Sequence, residues 1–367
     1  MRRVLAFVPL GPPYAGPEVS NSILLSKSPY ELLVINTSFQ KSNADKGRIT
    51  IKALTSWAGK ITKLLISAIR FRPDVFYYNI SATTLGALKD FVVISLIRPF
   101  VGIVVVHMRG GHFGRFYKGS NPVLKVLIRW YLVKCDRVIV QSEGLKNQFK
   151  GLVPEKRLYV VSNPAKREFF EIKPNIGGRV ILFVGHLSKA KGWTDLLRVL
   201  PKVFKEFPDA RVIAVGSKIK DETNIKWVGG EDVDRVFDEF IGKNGFKDRF
   251  EFYENITGRE KLEVFKRASI FVLPSYSEGF PMAVLEAMAS GLPVISTNVG
   301  AIPEFLPSEN FIIEPGDLKG LENALRELLG NDGLRKRLSE INRKRAWNFE
   351  EERVRKTFWE VVGNPEV

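Results

Sequence analysis

A chain of 367 residues, 45% hydrophobic and 26% charged, has ordinary globular composition, which argues against disordered, collagenous and membrane-spanning classes and suggests two domains. One cysteine, Cys135, and three histidines exclude an intramolecular disulfide and a multi-cysteine metal site, leave little room for a histidine-based one, and suggest a reducing compartment. The net charge of +16 is uneven: residues 1–173 carry 27 Lys and Arg against 10 Asp and Glu, and residues 174–367 carry 29 against 30. A basic first half suggests nucleic acid, an anionic membrane surface or an anionic substrate.

Short apolar runs alternate with amphipathic stretches. In the first half the expected strands are Val4–Val8, Glu31–Ile35, Val75–Tyr78, Ile103–His107, Arg137–Gln141 and Leu158–Val161. Helix patterns fall at Ile51–Phe71, Thr84–Ile97, Pro122–Cys135 and Glu143–Phe149. Continuous apolar strands each followed by a helix argue for parallel β-α units with both sheet faces covered. Val4–Leu10 stands at the low limit for a secretory core, is followed by no good small-residue cleavage site, and reads better as a buried first strand. Phe91–Val106 is broken by Arg98-Pro99, so no spanning helix is expected there, a membrane-lying one being the alternative.

Lys173-Pro-Asn-Ile-Gly-Gly178 reads as a linker, and the pattern restarts behind it. Strands are expected at Val180–Val184, Ala210–Val215, Phe250–Phe252, Ile270–Leu273, Pro293–Ser296 and Phe311–Ile313. Helices are expected at Thr194–Glu206, Val233–Lys243, Arg259–Arg267, Met282–Ala289, Ala301–Leu306, Leu318–Leu329 and Leu334–Phe349. Two α/β domains in series place a site in a cleft between them, at the carboxyl ends of the strands.

The sharpest segment is Ser275-Tyr-Ser-Glu278-Gly279-Phe280-Pro281-Met282-Ala283-Val284-Leu-Glu286, between two strands. Pro281 suits a helix start and Gly291 a helix end. The backbone N–H groups from Met282 to Val284 are then free to hold phosphate. Glu278 in the loop and Glu286 in the helix would repel phosphate, so they suit sugar hydroxyls on either side of it. Upstream, Gly185-His186-Leu-Ser-Lys189-Ala-Lys191-Gly192 leads from a strand into a helix, and a lysine beside a glycine can meet phosphate. Neither a Walker A order nor a G-x-G-x-x-G fingerprint occurs. In the basic half, Gly11-Pro-Pro-Tyr14-Ala15-Gly16 and His107-Met-Arg109-Gly110-Gly111-His112 also follow strands, where a substrate would lie. Asp232-Val-Asp234 follows Gly229-Gly230 at a helix start and reads as electrostatic capping, not a metal motif.

The spacing from Glu278 to Glu286 resembles the E-x7-E signature of the family-4, or group 1, retaining glycosyltransferases of GT-B fold. Gly185–Gly192 is similar to that family's glycine-lysine loop. The runs Ala268–Phe280 and Gly291–Glu304 match it closely, and Val161-Ser-Asn163-Pro is similar to its interdomain turn. The resemblance covers the second half and is looser in the first. It implies two Rossmann-like domains facing each other across a cleft. An acceptor domain would span 1–173 together with a returning C-terminal helix at 347–367, and a nucleotide-sugar domain 174–346.

The resemblance also implies roles. Lys191 would contact the donor diphosphate, with His186 where the family often has arginine. Glu286 would bind the ribose, and Glu278 the transferred sugar beside Gly279 and Phe280. Gly16 would lie near the donor phosphates. His107 or Arg109 would contact the reacting sugar, with His112 also open. No metal is required. The base would be read near Val215-Gly216 and Tyr253-Glu254-Asn255, where uracil and guanine stay open, a UDP-sugar being preferred to a GDP-sugar. Transfer would retain configuration, the leaving phosphate helping to deprotonate the acceptor.

The basic first half then fits an acceptor domain. Lys60, Lys63, Arg70 and Arg72 accompany Ile61, Leu64, Leu65, Ile66 and Ile69, the pattern of a basic amphipathic helix on an anionic membrane or of a sheet-packing face. The expectation is a cytoplasmic enzyme, peripheral on the inner face of the cell membrane. It would act on a lipid-linked acceptor in cell-surface polysaccharide or glycolipid synthesis. A soluble sugar acceptor is the alternative. A nucleic-acid partner is disfavoured, because the charge is spread rather than gathered in one stripe.

Overall fold

The computed structural model describes residues 2–12, 15–38, 51–218, 228–254 and 256–364. The chain forms two compact units, Met1–Pro164 with Glu351–Val367, and Ala165–Glu350.

The first unit begins β1 (Arg3–Val8), α1 (Gly16–Leu25), β2 (Glu31–Asn36), α2 (Ile51–Phe71), β3 (Val75–Ile80) and α3 (Thr84–Ile97). It continues β4 (Ile103–Met108), α4 (Phe113–Gly119), α5 (Pro122–Val133), β5 (Arg137–Val140) and β6 (Leu158–Val160). The strands form one parallel sheet in the order β2-β1-β3-β4-β5-β6. Val4 to Val8 and Val104 to Met108 are buried along their lengths, as strands covered on both faces must be. From β1 the chain steps one way to β2, and from β2 onward it steps the other way. Right-handed crossovers therefore put α1 on one face and α2, α3 and α5 on the other. Accordingly α3 packs on both α2 and α5. Side chains cap two of these helices: Thr83 Oγ1 accepts from Gly86 N, and Asn121 Oδ1 from Leu124 N.

The second unit opens with α6 (Arg167–Phe170), β7 (Val180–Val184), α7 (Trp193–Glu206), β8 (Arg211–Val215), α8 (Val233–Phe237) and β9 (Phe250–Tyr253). There follow α9 (Gly258–Arg267), β10 (Ile270–Leu273), α10 (Met282–Ser290), β11 (Val294–Thr297), α11 (Ile302–Phe305) and β12 (Phe311–Ile313). Then come α12 (Leu318–Gly330) and α13 (Asp332–Ala346). Its sheet is also parallel, in the order β12-β11-β10-β7-β8-β9. The order reverses between β7 and β10, and the carboxyl end of such a switch point is where open α/β sheets bind ligands. Finally α14 (Glu351–Gly363) rejoins the first unit and packs on α1.

All twelve expected strands form, and the differences lie elsewhere. The boundary expected at 173 falls at Pro164–Ala165 instead. Residues 165–173 pack in the second unit: Phe169 meets Phe265 edge-on at 5.1 Å, and the Arg343 guanidinium donates to the carbonyls of Phe170 and Ile172. The Pro/Gly stretch is a turn in which Gly178 N donates to Asn175 O at 3.1 Å, and Ser269 Oγ donates to the same carbonyl at 2.8 Å. The returning helix starts at Glu351, not Trp347, because Trp347–Phe349 is a 3-10 turn whose Phe349 carbonyl accepts from Ala165 N. Helices α1, α4 and α6 were not expected, and Val233–Lys243 breaks after one turn of α8 into a π-turn at Asp238–Gly242. Glu143–Phe149 is a 3-10 segment at Gly144–Phe149.

Candidate functional site

The second unit gathers its expected residues at the β7/β10 switch point. The loop after β7 carries Lys191, and the loop after β10 carries Glu278. Lys191 Nζ lies 2.9 Å from Glu278 Oε1, and Ser275 Oγ donates to the same oxygen at 2.7 Å. The loops meet because Gly192 takes a left-handed φ of 72° against the Pro274 backbone; a Cβ there would stand 2.0 Å from the Pro274 carbonyl oxygen. Tyr276 N donates to Ala190 O at 2.9 Å and ties the loops again. Behind Glu278, a Cβ on Gly300 would come within 2.4 Å of the Glu278 carbonyl oxygen, and Ala301 N donates to Gly279 O at 2.8 Å. Thr297 Oγ1 donates to Ser275 O at 2.6 Å.

Pro281 is the N-cap of α10, so the N–H groups of Met282, Ala283 and Val284 form its first turn. Phe280 stacks on Phe305 at 4.3 Å and anchors this entry. One helical turn further on, Glu286 is buried, and Lys261 from α9 holds both its oxygens at 2.9 and 2.7 Å. Nothing in the sequence near Glu286 marks Lys261, which lies 25 positions earlier on another helix.

The other lysine of the loop is differently committed. Lys189 Nζ pairs with buried Asp195 at 2.5 Å, Tyr276 OH donates to Asp195 Oδ2 at 2.7 Å, and Arg198 joins Asp195 to Glu231. Burial alone would lower the Lys189 pKa; its bonds with Asp195 and Tyr276 outweigh it and raise the value. His186 is half-buried in the same loop. Gly216 follows β8 where an added Cβ would stand 1.9 Å from the Gly185 carbonyl oxygen, while Tyr253 OH donates to Glu251 at 3.1 Å. Asn255, expected beside them, lies outside the described residues, as do Pro13 and Tyr14 of the first loop. Asp232 Oδ1 accepts from the N–H groups of Asp234 and Arg235, which is capping geometry. Among the described residues no three His, Cys, Asp or Glu side chains cluster as metal ligands would.

The first unit treats its candidates differently from expectation. His107 is wholly buried in β4, its Nδ1 bonded to Tyr77 OH at 2.9 Å. Burial, then nearby Arg109, holds its pKa well below the usual histidine range. It presents no surface to a reacting sugar. The Arg109 guanidinium donates to Ser20 Oγ, Asn163 Oδ1, Asn21 Oδ1 and Tyr77 OH at 2.6–3.2 Å, so it ties α1 to β3 and the end of the unit. His112 is half-buried ahead of α4, its pKa lowered by burial and by Arg115. Gly16 is the first residue of α1 rather than a loop residue, with Pro17 behind it at a position helices favour. On α2, Leu64 is buried while Ile66 and Ile69 are exposed. Lys60 is committed, donating to Thr37 O and Ser38 O at 2.7 Å each.

Residues 165–345 match the family described as Glycosyl transferases group 1. N-acetyl-alpha-D-glucosaminyl L-malate synthase of Bacillus anthracis is 28% identical over 251 residues, 64% of this chain and 61% of that protein. The chain therefore spans less than two thirds of the length of that relative. Sucrose-phosphate synthase from Thermosynechococcus elongatus superposes with a TM-score of 0.77 at 16% identity, covering 98% of both chains. HepE of Anabaena, solved in complex with UDP, gives a TM-score of 0.74 at 17% identity, covering 99% of both. Two parallel six-stranded sheets of these orders define the GT-B fold. The second unit is thus the part of the chain that matches the group 1 glycosyltransferases.

Proposed function

We propose that the protein transfers a sugar from a nucleoside-diphosphate sugar, a UDP-sugar in preference to a GDP-sugar, to an acceptor hydroxyl with retention of configuration. The observation that carries this is the convergence of Lys191, Glu278 and the first turn of α10 at the β7/β10 switch point. Lys191 and the N–H groups of Met282, Ala283 and Val284 supply positive potential for a diphosphate without a metal ion. Glu286, fixed by Lys261, accepts from the ribose hydroxyls. Glu278, beside Gly279 and Phe280, accepts from hydroxyls of the transferred sugar. Gly16, the first residue of α1, is the first unit's candidate for phosphate, and His186 adds a contact in the β7 loop. As the bond from the anomeric carbon to phosphate oxygen breaks, the acceptor oxygen bonds on the same face and its proton passes to the departing diphosphate. Of the first unit's three candidates for the reacting sugar, His112 is the one retained, since His107 is buried and Arg109 is committed to side-chain partners.

The acceptor is lipid-linked and the protein lies peripherally on the cytoplasmic face of the cell membrane, making a surface polysaccharide or glycolipid. Lys63 and Arg70 on α2, with exposed Ile66 and Ile69 between and beside them, support this. No helix among the described residues is long and apolar enough to cross a membrane.

The testing experiment is thermal stabilisation by UDP and by GDP, with and without EDTA. A shift with UDP that EDTA leaves unchanged is expected. No shift with either nucleotide would refute the donor assignment. The anomeric configuration of product, read by proton NMR, decides retention.

A further inference from the structure

The outer face of the α2–α3–α5 layer has a composition that a water-facing layer lacks. Helix α5 buries Leu124, Ile128, Tyr131 and Leu132. Its opposite stripe is also apolar: Val123 is 71% exposed, Val126 65%, Trp130 40% and Val133 64%. These residues follow helical spacing, so they form one line about 15 Å long. Helix α3 repeats the pattern. It buries Ala87, Val93, Ile94 and Ile97 yet exposes Leu85, Leu88 and Leu96. Phe91 meets Trp130 edge-on at 5.0 Å, which joins the two outward stripes into one patch. Helices apolar on every side are ordinarily enclosed, and contiguous exposed apolar patches mark interaction surfaces.

The outward charges on these three helices have one sign. Helices α2 and α5 contain no acidic residue. The single acid of α3, Asp90, is buried and bonded by Tyr78 OH and Ser81 N. Asp74 and Asp136, in the turns outside the helices, bond Arg3 N and Val104 N. Against these stand Lys63, Arg70, Lys125, Arg129 and Lys134, the last lying over the Trp130 ring. A tryptophan within an aliphatic stripe, on helices whose outward charges are cations, suits the boundary of an anionic bilayer: rings and aliphatic chains enter the acyl border while lysines meet headgroups.

We infer that the outward α3–α5 face, led by Val123, Val126, Trp130 and Val133, is the surface by which this chain docks on anionic lipid bilayers. It rests on the membrane part of the reading above and moves the main contact from α2 to α3 and α5.

The test is sedimentation with sucrose-loaded vesicles of phosphatidylglycerol and phosphatidylcholine, against vesicles of phosphatidylcholine alone. It compares the intact chain, Val126→Asp/Val133→Asp, and Lys63→Glu/Arg70→Glu. Val126 and Val133 are exposed, so the first variant keeps its fold, which an unchanged UDP thermal shift verifies. The expected result is binding of the intact chain to anionic vesicles only, weakened by salt, and at least about ten-fold lower partitioning of Val126→Asp/Val133→Asp. If that variant binds like the intact chain while Lys63→Glu/Arg70→Glu does not, this inference falls and the α2 reading stands. If the intact chain ignores anionic vesicles, both fall. If the valine variant binds vesicles normally but converts a dimer to a monomer in light scattering, the face belongs to a second copy of the chain and the lipid assignment is overturned.

Discussion

Lys191 Nζ and Glu278 Oε1 stand 2.9 Å apart, across two loops that leave adjacent strands at the point where the sheet order reverses. Glu278 is mostly withdrawn from water, and Ser275 supplies its other bond. The pair holds both groups in place, one cationic and one anionic, where the proposed donor needs a phosphate contact and a sugar contact. Each role can be removed separately.

Lys191→Ala should weaken UDP binding about ten- to a hundred-fold, the range for losing one charge-assisted hydrogen bond. The loss should appear as a smaller thermal shift at fixed UDP. Glu278→Gln keeps the Ser275 bond and leaves Lys191 for phosphate, so it should preserve the UDP shift while abolishing sugar transfer. An unchanged UDP shift in Lys191→Ala would remove this lysine from the donor site.

Lys261 is argued from Glu286. It holds both carboxylate oxygens of a buried acid, and removing one partner of such a pair leaves a charge without compensation. Because Lys261 itself is partly exposed, Lys261→Met should cost about 2 kcal/mol. Lys261→Met/Glu286→Gln should recover most of that stability in urea titration, while nucleotide binding stays weak in both variants. Recovery of nucleotide binding in the double variant would show that Glu286 does not touch the nucleotide.

The sheets were legible because parallel strands buried on both faces are written as continuous apolar runs, as in Val104-Val105-Val106 and Ile270–Leu273. Glu278, Pro281 and Glu286 were legible because one strand-loop-helix unit carries them all. The first unit was harder to read, since its polar contacts are long-range. Arg109 meets Ser20 and Asn21 on a helix nearly ninety positions earlier. The apolar run shows that β4 is covered on both faces but not that the cover reaches His107, and this decides between a buried bond with Tyr77 and an open contact. Lys261 escaped for the same reason. The linker misled because Pro and Gly report a turn, not which unit the turn packs on.

Gly192 gives a sharper test of the loop architecture. Alanine there must adopt a left-handed backbone, and its Cβ must displace the Pro274 carbonyl from 2.0 Å. Gly192→Ala should destabilise the second unit by about 2–4 kcal/mol and abolish the UDP shift, by separating Lys191 from Glu278. The first unit's hydrogen-exchange protection should stay unchanged. Full stability of this variant would mean that the two loops are not pressed together as described.

Asp90 provides a pH signature in the first unit. Burial, partly offset by the Ser81 N–H and Tyr78 OH bonds, raises its pKa from 3.8 to about 7. Between those values the folded chain keeps a proton that the unfolded chain has released. Stability from this group is therefore full below 3.8, declines as pH rises, and is lost above about 7. His107 has the opposite sign: its lowered pKa makes the unfolded chain bind the extra proton, so it weakens the fold as pH falls below 6.5. Asp90→Asn isolates the first effect, since asparagine can keep an acceptor for Ser81 N and a donor for Tyr78 OH. Subtracting the variant's urea midpoint from that of the native chain should leave a difference that favours the native chain more at about pH 5 than at about pH 8. A flat difference would mean that Asp90 is ionised in the folded unit throughout.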